Sequence, residues 1–326
     1  MEVLVIGGTL FIGRRLVKEL VRKGHSVTVL HRKPRHGLGR EVHSIRADRN
    51  DGDAMRAALA GRHFDVVFDN VYDWERGTDA FQIEATVQAC GDNLSRYIFM
   101  SSVAAYGDGL SHHEGDGLAA EDHPDAYVRN KANSERLLFR MHSGSGLPVV
   151  TLRPPFIYGP RNPFYREAFF WDRIRDRRAL IVPGDGRRLM QFVHVDDLVW
   201  CAIRAMETPA AVGQAFNVAN LKPITQVELV EALAKAAKHP VPPLVNIPRR
   251  VLLEAGGHAM RPKFYFGEYF DLPPITQIVA RAQRVLGFVP MDFADGLRET
   301  YRWWARAHPF DKPDYRFEDQ LLAARV

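Results

Sequence analysis

Residues 3–13 read Val3-Leu4-Val5-Ile6-Gly7-Gly8-Thr9-Leu10-Phe11-Ile12-Gly13, an apolar run followed at once by a glycine-rich turn. The apolar run predicts a buried parallel strand, and residues 14–21 place apolar side chains at helical spacing. Val27-Thr28-Val29-Leu30 predicts the next strand. Strand, glycine turn, helix and strand within about 30 residues form the context in which such a turn binds a dinucleotide. We therefore expect the amides at the start of the helix to hold a pyrophosphate, with Gly7 making the tight turn and Gly13 letting the helix pack on the strand.

A second pattern lies further along the chain, where Tyr127 and Lys131 follow the pair Ser101-Ser102. Tyrosine and lysine at i and i+4 project from one face of a helix. A nearby ammonium favours the phenolate, so we expect Lys131 to lower the pKa of Tyr127. Such a tyrosine can remove a hydroxyl proton while hydride leaves the same carbon, with a serine hydroxyl holding the substrate oxygen.

The composition is that of a globular protein, with 326 residues, 46% hydrophobic residues and 25% charged residues. Cys90 and Cys201 are the two cysteines, which predicts no disulfide framework and a reducing, cytoplasmic compartment. No apolar run reaches the roughly 18 residues of a membrane span, so no membrane association is expected. The formal net charge of +5 is modest and its basic residues are scattered, which argues against nucleic acid as the main ligand.

Taken together, these motifs resemble the extended short-chain dehydrogenase/reductase family, in its NAD(P)-dependent epimerase/dehydratase branch. Residues 101–107 match the family's active-site serine strand, and residues 127–131 match its Tyr-x-x-x-Lys element. Residues 152–160 resemble the segment that passes the nicotinamide. The glycine turn departs from the family pattern at Leu10, where the middle glycine usually stands, and in this it looks like the atypical subgroup that includes chloroplast stem-loop RNA-binding proteins.

The resemblance implies an α/β fold: a Rossmann-type doubly wound parallel sheet with a smaller C-terminal substrate domain. We expect residues 1–158, with a return segment at about 189–219, to form the dinucleotide-binding domain. Residues 159–188 and 220–326 are expected to form the substrate-binding domain. The strand 192–194 is expected to lead back into the sheet. A homodimer through two helices on the sheet face is the family's usual assembly.

The resemblance also assigns site residues. Ser102, Tyr127 and Lys131 are the expected catalytic residues, with Lys131 also bonding the cofactor ribose. The expected substrate contacts are Tyr106, Arg187 and Arg188. The expected cofactor contacts are Gly7, Thr9, Leu10, Phe11, Ile12, Gly13, Arg32, Asp48, Lys131 and Pro154.

The cofactor is NADP or NAD, and the end of the second strand favours NADP. An acidic residue there would bond the ribose hydroxyls of NAD, whereas this chain has His31-Arg32-Lys33. The guanidinium of Arg32 suits a 2′-phosphate. The alternative is that these residues are only a solvated basic loop.

The expected substrate is a small molecule with a sugar hydroxyl or keto group, a nucleotide sugar among the candidates. Family members that bind nucleotide sugars usually carry an arginine where this chain has Met190, so a non-nucleotide carbonyl substrate of an NADPH-dependent reductase stays open. A non-catalytic RNA-associated role is the third alternative. His112, His113, Glu114 and His123 are ligand types for a metal, but their polar segment predicts a solvated loop and no metal site.

Overall fold

The computed structural model describes residues 1–91, 93–259, 270–310 and 312–324. The strands within these ranges are β1 (Glu2–Ile6), β2 (Ser26–His31), β3 (Val42–Arg46), β4 (Val66–Asp69), β5 (Arg96–Met100), β6 (Gly109–His112), β7 (Val149–Arg153), β8 (Phe156–Tyr158), β9 (Leu180–Pro183), β10 (Leu189–Met190), β11 (Phe192–His194), β12 (Gln214–Asn217), β13 (Ile224–Thr225), β14 (Leu244–Ile247) and β15 (Ile275–Gln277). The α-helices are α1 (Phe11–Arg22), α2 (Gly52–Leu59), α3 (Ala80–Cys90), α4 (Ala126–Ser145), α5 (Glu167–Arg175), α6 (Val195–Glu207), α7 (Gln226–Ala237), α8 (Arg249–Glu254), α9 (Phe293–Ala307) and α10 (Arg316–Ala323). Single helical turns occupy Val103–Tyr106, Pro209–Ala211 and Ala282–Leu286.

The first compact unit comprises residues 1–155, 195–221 and 275–290 and is built on a seven-stranded sheet. Its strand order is β12-β7-β5-β4-β1-β2-β3, and every pairing is parallel. The order reverses between β1 and β4, which is the switch point where doubly wound sheets bind ligands. The predicted Rossmann-type doubly wound sheet is confirmed.

The sheet forms because its strands are nearly continuous apolar runs, as strands covered on both faces require. Val3, Leu4, Val5 and Ile6 of β1 are all fully buried. Helix α1 packs with α6, and α3 packs with both α2 and α4. These layers fix the carboxyl ends of β1, β4 and β5 at one edge of the sheet.

The second unit comprises residues 156–194, 222–274 and 291–326, described outside the gaps given above. Its core is rich in aromatic side chains, with Phe169, Phe170 and Trp171 of α5 essentially inaccessible to solvent. Three two-stranded sheets surround this core, pairing β8 with β11, β9 with β14 and β10 with β13. The buried Arg173 of α5 bonds Glu318, and this pair anchors α10.

Strand β11 corrects one expectation. Residues 192–194 do not join the seven-stranded sheet; they pair in parallel with β8, from Phe192 opposite Phe156 to His194 opposite Tyr158. It is β12 that returns to the sheet, beside β7. Both segments are short apolar runs, so their composition alone does not say which of them pairs with the central strands.

Strand β15 was not foreseen from the sequence. Residues 275–290 belong to the first unit, whereas the predicted division placed them in the substrate domain. β15 pairs with β6, and Gln277 donates its side-chain amide to the Arg153 carbonyl at 2.9 Å. Part of the segment expected to be a solvated loop is therefore a strand ending at His112.

Among the described residues, no helix is both long enough and apolar enough to cross a membrane.

Candidate active site

The glycine turn joins β1 to α1 at the switch point. Gly7 has φ of +86°, and a Cβ there would clash with the Val71 side chain. A Cβ on Gly13 would overlap the Gly7 carbonyl oxygen and lie 2.9 Å from the Gly8 Cα. Both are backbone atoms, so the clash could be relieved only by moving the main chain of the turn. The turn therefore needs glycine at both positions, and this close-packed cradle fits the pyrophosphate of a dinucleotide.

The N-terminus of α1 is open to an anion. Leu10 stands at its N-cap with an extended backbone and no side-chain cap, and the first turn holds no acidic residue. Leu10 itself is 57% exposed with φ of −126°, so the departure from the family's middle glycine imposes no backbone strain. Phe11 has φ of +30°, a conformation disfavoured for a bulky side chain and characteristic of functional turns. The uncapped amides and the helix dipole together favour a bound phosphate group.

Ser102 and Tyr127 lie at the carboxyl edge of the sheet, next to β5. Ser102 is buried and accepts a hydrogen bond from the Ala104 amide at 3.2 Å. Asp125 caps α4 by accepting from the amides of Tyr127 at 2.8 Å and Val128 at 3.0 Å. This cap places Tyr127 in the first turn of α4, where its phenol is near enough to Ser102 for the serine side chain to lower the pKa of the phenol.

Lys131 lies one turn further along α4 and is buried. Its ammonium donates to the carbonyl of Met100, the last residue of β5, at 2.7 Å. The same Nζ lies 4.9 Å from the Phe99 ring centroid and 5.4 Å from that of Tyr72. Burial lowers the pKa of Lys131 to about 8, against an opposing attraction from Asp69.

The expected lowering of the Tyr127 pKa is wrong for the protein alone. Burial raises the pKa of Tyr127 to about 12, and the nearby Ser102 side chain offsets only part of that rise. The Lys131 ammonium donates to the Met100 carbonyl, lies 5.9 Å from the Tyr127 ring centroid and does not reverse this rise. The phenol is consequently protonated at neutral pH and suited to donate a proton.

A buried polar network links helix α4 to the strands that lie next to it. Glu135, fully buried on α4, accepts from Arg153 through Nε at 2.9 and 3.0 Å and through Nη2 at 2.6 Å. Ser101 also donates to Glu135. Arg153 Nη1 then donates to the Tyr106 hydroxyl at 2.7 Å, and that hydroxyl bonds Asn217 at 2.8 Å. This network ties α4 to β5, β7 and β12.

Two of the expected ligand residues are part of such internal structure. Tyr106 is 5% exposed and its hydroxyl is engaged by Arg153 and Asn217, so its substrate contact stays a prediction. Pro154 is buried, and its carbonyl accepts from the Val103 amide at 3.0 Å. The latter bond fixes the end of β7 beside the serine strand.

Arg32 and Asp48, the two expected contacts to the nucleotide, are joined through Asp73 and Arg76. Arg32 Nη1 lies 3.1 Å from the Asp73 carboxylate, and Arg76 Nη2 lies 2.7 Å from both Asp73 and Asp48. Burial acts to raise the pKa of Asp73, but hydrogen bonds from Arg76 and the Glu75 amide outweigh it and hold the value at about 2. The structure thus brings these two predicted residues into one charged cluster.

Arg187 and Arg188 belong to the second unit. Arg187 is exposed, whereas Arg188 donates to the Asp271 carbonyl at 2.8 Å. Met190 is 3% exposed and pairs with Ile224 between β10 and β13. The residue at the usual arginine position is therefore a core side chain.

Sequence reasoning missed two aromatic residues in the loop after β4. Trp74 stacks on Tyr127 with ring centroids 4.8 Å apart and planes inclined by 24°. Tyr72 meets the same phenol edge-on, also at 4.8 Å. The available signal was their place directly after a buried strand, at the edge where parallel sheets carry their ligands.

An anion-binding glycine turn together with a Ser, Tyr and Lys set on a doubly wound sheet defines a nicotinamide-dependent oxidoreductase of the short-chain dehydrogenase/reductase type. The chain belongs to the NAD dependent epimerase/dehydratase family, whose model matches residues 3–219. It is accordingly an enzyme that works with a nicotinamide cofactor.

Three similar proteins illustrate the range of this family. The chloroplast stem-loop binding protein of 41 kDa b of Arabidopsis thaliana is 29% identical over 347 residues, covering 100% of this chain and 85% of the relative. The 2-alkyl-3-oxoalkanoate reductase of Stenotrophomonas maltophilia is 27% identical, covering 91% of this chain and 98% of the relative. The crystal structure of a UDP-glucuronic acid 4-epimerase from Bacillus cereus, in complex with UDP-glucuronic acid and NAD, gives a TM-score of 0.74 at 19% identity, covering 94% of this chain and 99% of that one. This structural likeness concerns the fold.

Proposed function

We propose that the protein is an NAD(P)-dependent oxidoreductase or epimerase that acts on a hydroxyl or keto group of a sugar, free or carried on a nucleotide. The observation that supports this most directly is the placement of Tyr127 beside Ser102, with Lys131 one turn away on α4. In the same compact unit lies the glycine cradle between β1 and α1. Proton transfer and cofactor binding are thereby provided by one sheet edge.

The residues divide the chemistry among them. A nicotinamide cofactor would supply the hydride donor or acceptor when bound; the turn at residues 7–13 would hold its pyrophosphate, and Lys131 would bond its ribose. Ser102 donates a hydrogen bond to the substrate oxygen, and Tyr127 gives a proton to that oxygen when a carbonyl is reduced. Because each pKa unit corresponds to about 1.4 kcal/mol, ionising a phenol of pKa about 12 at neutral pH takes about 7 kcal/mol.

The resting protein therefore holds Tyr127 as the protonated phenol, which is the state from which it donates a proton in carbonyl reduction. Oxidation requires the phenolate, so a positive charge must first come close to Tyr127 and lower its pKa. An epimerase uses both directions in turn, since it oxidises a carbinol and returns hydride to the other face of the resulting ketone. A reductase uses only the reduction.

We propose NADP as the preferred form of the cofactor. Arg32 is 61% exposed at the end of β2, and its guanidinium fits a 2′-phosphate. Asp73 already forms an ion pair with this guanidinium. Binding of NADP would replace the Arg32–Asp73 pair by a pair between Arg32 and the 2′-phosphate, whereas binding of NAD would leave the Arg32–Asp73 pair in place.

A reductase of a non-nucleotide carbonyl substrate is the second candidate. The buried Met190 provides no cation for a diphosphate, and Arg188 is already held by Asp271. The relative named as a 2-alkyl-3-oxoalkanoate reductase covers 91% of this chain. The protonated state of Tyr127 also suits this reaction.

An RNA-associated role is the third candidate, and it is favoured by the relative named as a stem-loop binding protein. The net charge of +5 offers it limited support. Binding of a stem-loop RNA at physiological salt, measured by gel shift, separates this role from catalysis.

Deuteride transfer tests the proposed function. The purified protein is incubated with NADPH carrying deuterium at the transferable position and with a panel of keto sugars, their nucleotide derivatives and 3-oxo acids. Mass spectrometry should find deuterium on the new carbinol carbon of at least one sugar product. Label appearing only in the 3-oxo acids would support the second candidate, and label in no product together with tight RNA binding would contradict an enzymatic role. Mass analysis of any cofactor that copurifies distinguishes NAD from NADP.

A further inference from the structure

The loop at residues 70–78 places an exposed indole on the proposed proton donor. Trp74 is 55% exposed, an unusual position for so large an apolar side chain. It nevertheless stacks on Tyr127, and Tyr72 meets the same phenol edge-on, with ring planes inclined by 88°. Tyr72 and Trp74 also contact each other, with ring centroids 5.1 Å apart. Three rings thus form one cluster that includes the catalytic phenol.

The loop that carries Trp74 is held firmly by hydrogen bonds. The Asp73 carboxylate accepts from the amides of Glu75 and Arg76, each at 3.0 Å, while the Gly77 amide donates to the Asp73 carbonyl at 2.8 Å. Asn50 donates to the Gly77 carbonyl at 2.6 Å. The exposure of the indole is therefore fixed by the turn geometry, since the residues on its C-terminal side have little freedom to move.

The contact has consequences for Tyr127. Offset-stacked and edge-to-face aromatic pairs each stabilise a geometry by about 0.5–1.5 kcal/mol beyond their buried area. Two such pairs act on the one phenol and restrict its ring orientation. They also keep water from the ring of Tyr127, and this burial is the main cause of the raised pKa of Tyr127.

We propose that Trp74 is a positioning residue for Tyr127: the indole holds the phenol in the orientation for proton transfer and shields it from solvent, with Tyr72 completing the enclosure. This role rests on the proposed function of Tyr127 as the proton donor. Trp74 lies in the loop after β4, so residues outside the Tyr-x-x-x-Lys element also surround the proton donor Tyr127.

Tyrosine nitration tests the proposal without a substrate. Tetranitromethane attacks accessible phenolates, so the rate at Tyr127 at pH 8, read by peptide mass spectrometry, reports both shielding and pKa. Trp74→Ala should raise that rate about tenfold or more, because each unit of fall in the pKa increases the phenolate fraction tenfold. Trp74→Phe should lie close to the parent protein.

Two controls make the result interpretable. Trp200→Ala removes another exposed indole, on α6 and packed on Phe288, and should leave Tyr127 unchanged. Tyr97, which is fully buried and bonds Asp69 at 2.7 Å, should stay unmodified in every variant that is folded. If Trp74→Ala exposes Tyr97, Trp74→Leu replaces it as the test. An unchanged nitration rate at Tyr127 with Tyr97 protected would overturn the proposal.

A kinetic measurement separates this inference from the proposed function. In carbonyl reduction, Trp74→Ala should lower kcat about tenfold through misorientation of the donor while the KM for NADPH stays within about twofold. Loss of the protonated donor should also begin at lower pH than in the parent. If a Tyr127→Phe variant kept full activity, the proposed function would fail while the nitration result still decided the structural role of Trp74.

Discussion

Removal of the Glu135 carboxylate should destabilise the protein and disturb the catalytic edge at once. Glu135 and Arg153 have 0% and 4% side-chain exposure, so their charges are compensated almost entirely by each other. In Glu135→Ala, the partners that Arg153 would keep among the described residues are Tyr106 and the Glu114 carbonyl. Breaking such a buried pair from one side destabilises by about 3–5 kcal/mol, because it leaves an uncompensated charge in the interior.

The double variant Glu135→Leu/Arg153→Met is the informative comparison. Replacing both charges by apolar side chains leaves no buried charge, so the double variant should be less destabilised than either Glu135→Leu or Arg153→Met alone. Urea denaturation followed by tryptophan fluorescence and by circular dichroism measures the three differences under the same conditions. Glu135→Gln serves as the matched control that retains size and one acceptor.

The result that would refute this reasoning is simple additivity. If the destabilisation of the double variant equalled the sum of the two single ones, Arg153 and Glu135 would not compensate each other. Because Ser101 also donates to Glu135, Glu135→Ala should in addition lower turnover by displacing the serine strand. A destabilised variant with unchanged turnover would show that the Glu135–Arg153 network stabilises the fold without positioning the serine strand for catalysis.

Three further predictions concern the cofactor. Gly13→Ala should weaken NADPH binding at least about tenfold by forcing the turn apart, whereas Leu10→Gly should be tolerated, as fluorescence titration of each variant would show. Arg32→Ala should weaken NADPH binding about tenfold and leave NADH binding nearly unchanged; equal effects on both would contradict a 2′-phosphate contact. NADPH binding should also weaken as pH rises through about 8, since the Lys131 ammonium is fully charged only below its lowered pKa, and Lys131→Met should bind weakly at all pH values without that transition.

The sheet was predictable because its strands are apolar runs bounded by turn residues. Val3–Ile6 and Val27–Leu30 were both identified as strands, and they lie within the observed β1 and β2. β15 was not identified, because its three residues carry no pattern that marks a strand and its partner β6 lies more than 150 positions earlier in the chain. Long-range pairings of short segments are decided by tertiary packing rather than by local sequence.

The site shows the same division. The spacing of Tyr127 and Lys131 predicts a shared helix face, which α4 provides. The spacing does not say where the ammonium points, which is to the Met100 carbonyl, nor that burial raises the pKa of Tyr127. Trp74 lies in a loop without periodicity, so only the folded chain shows that it contacts the phenol.

The pH-dependent turnover of Tyr127→Phe tests the central claim most directly. Carbonyl reduction by the parent and the variant is measured with NADPH, alongside NADPH binding by fluorescence. General acid catalysis contributes about 10²–10⁴ in rate, so the variant should lose at least about a hundredfold in kcat while its NADPH affinity stays within about twofold. Turnover and pH dependence equal to those of the parent would contradict Tyr127 as the proton donor.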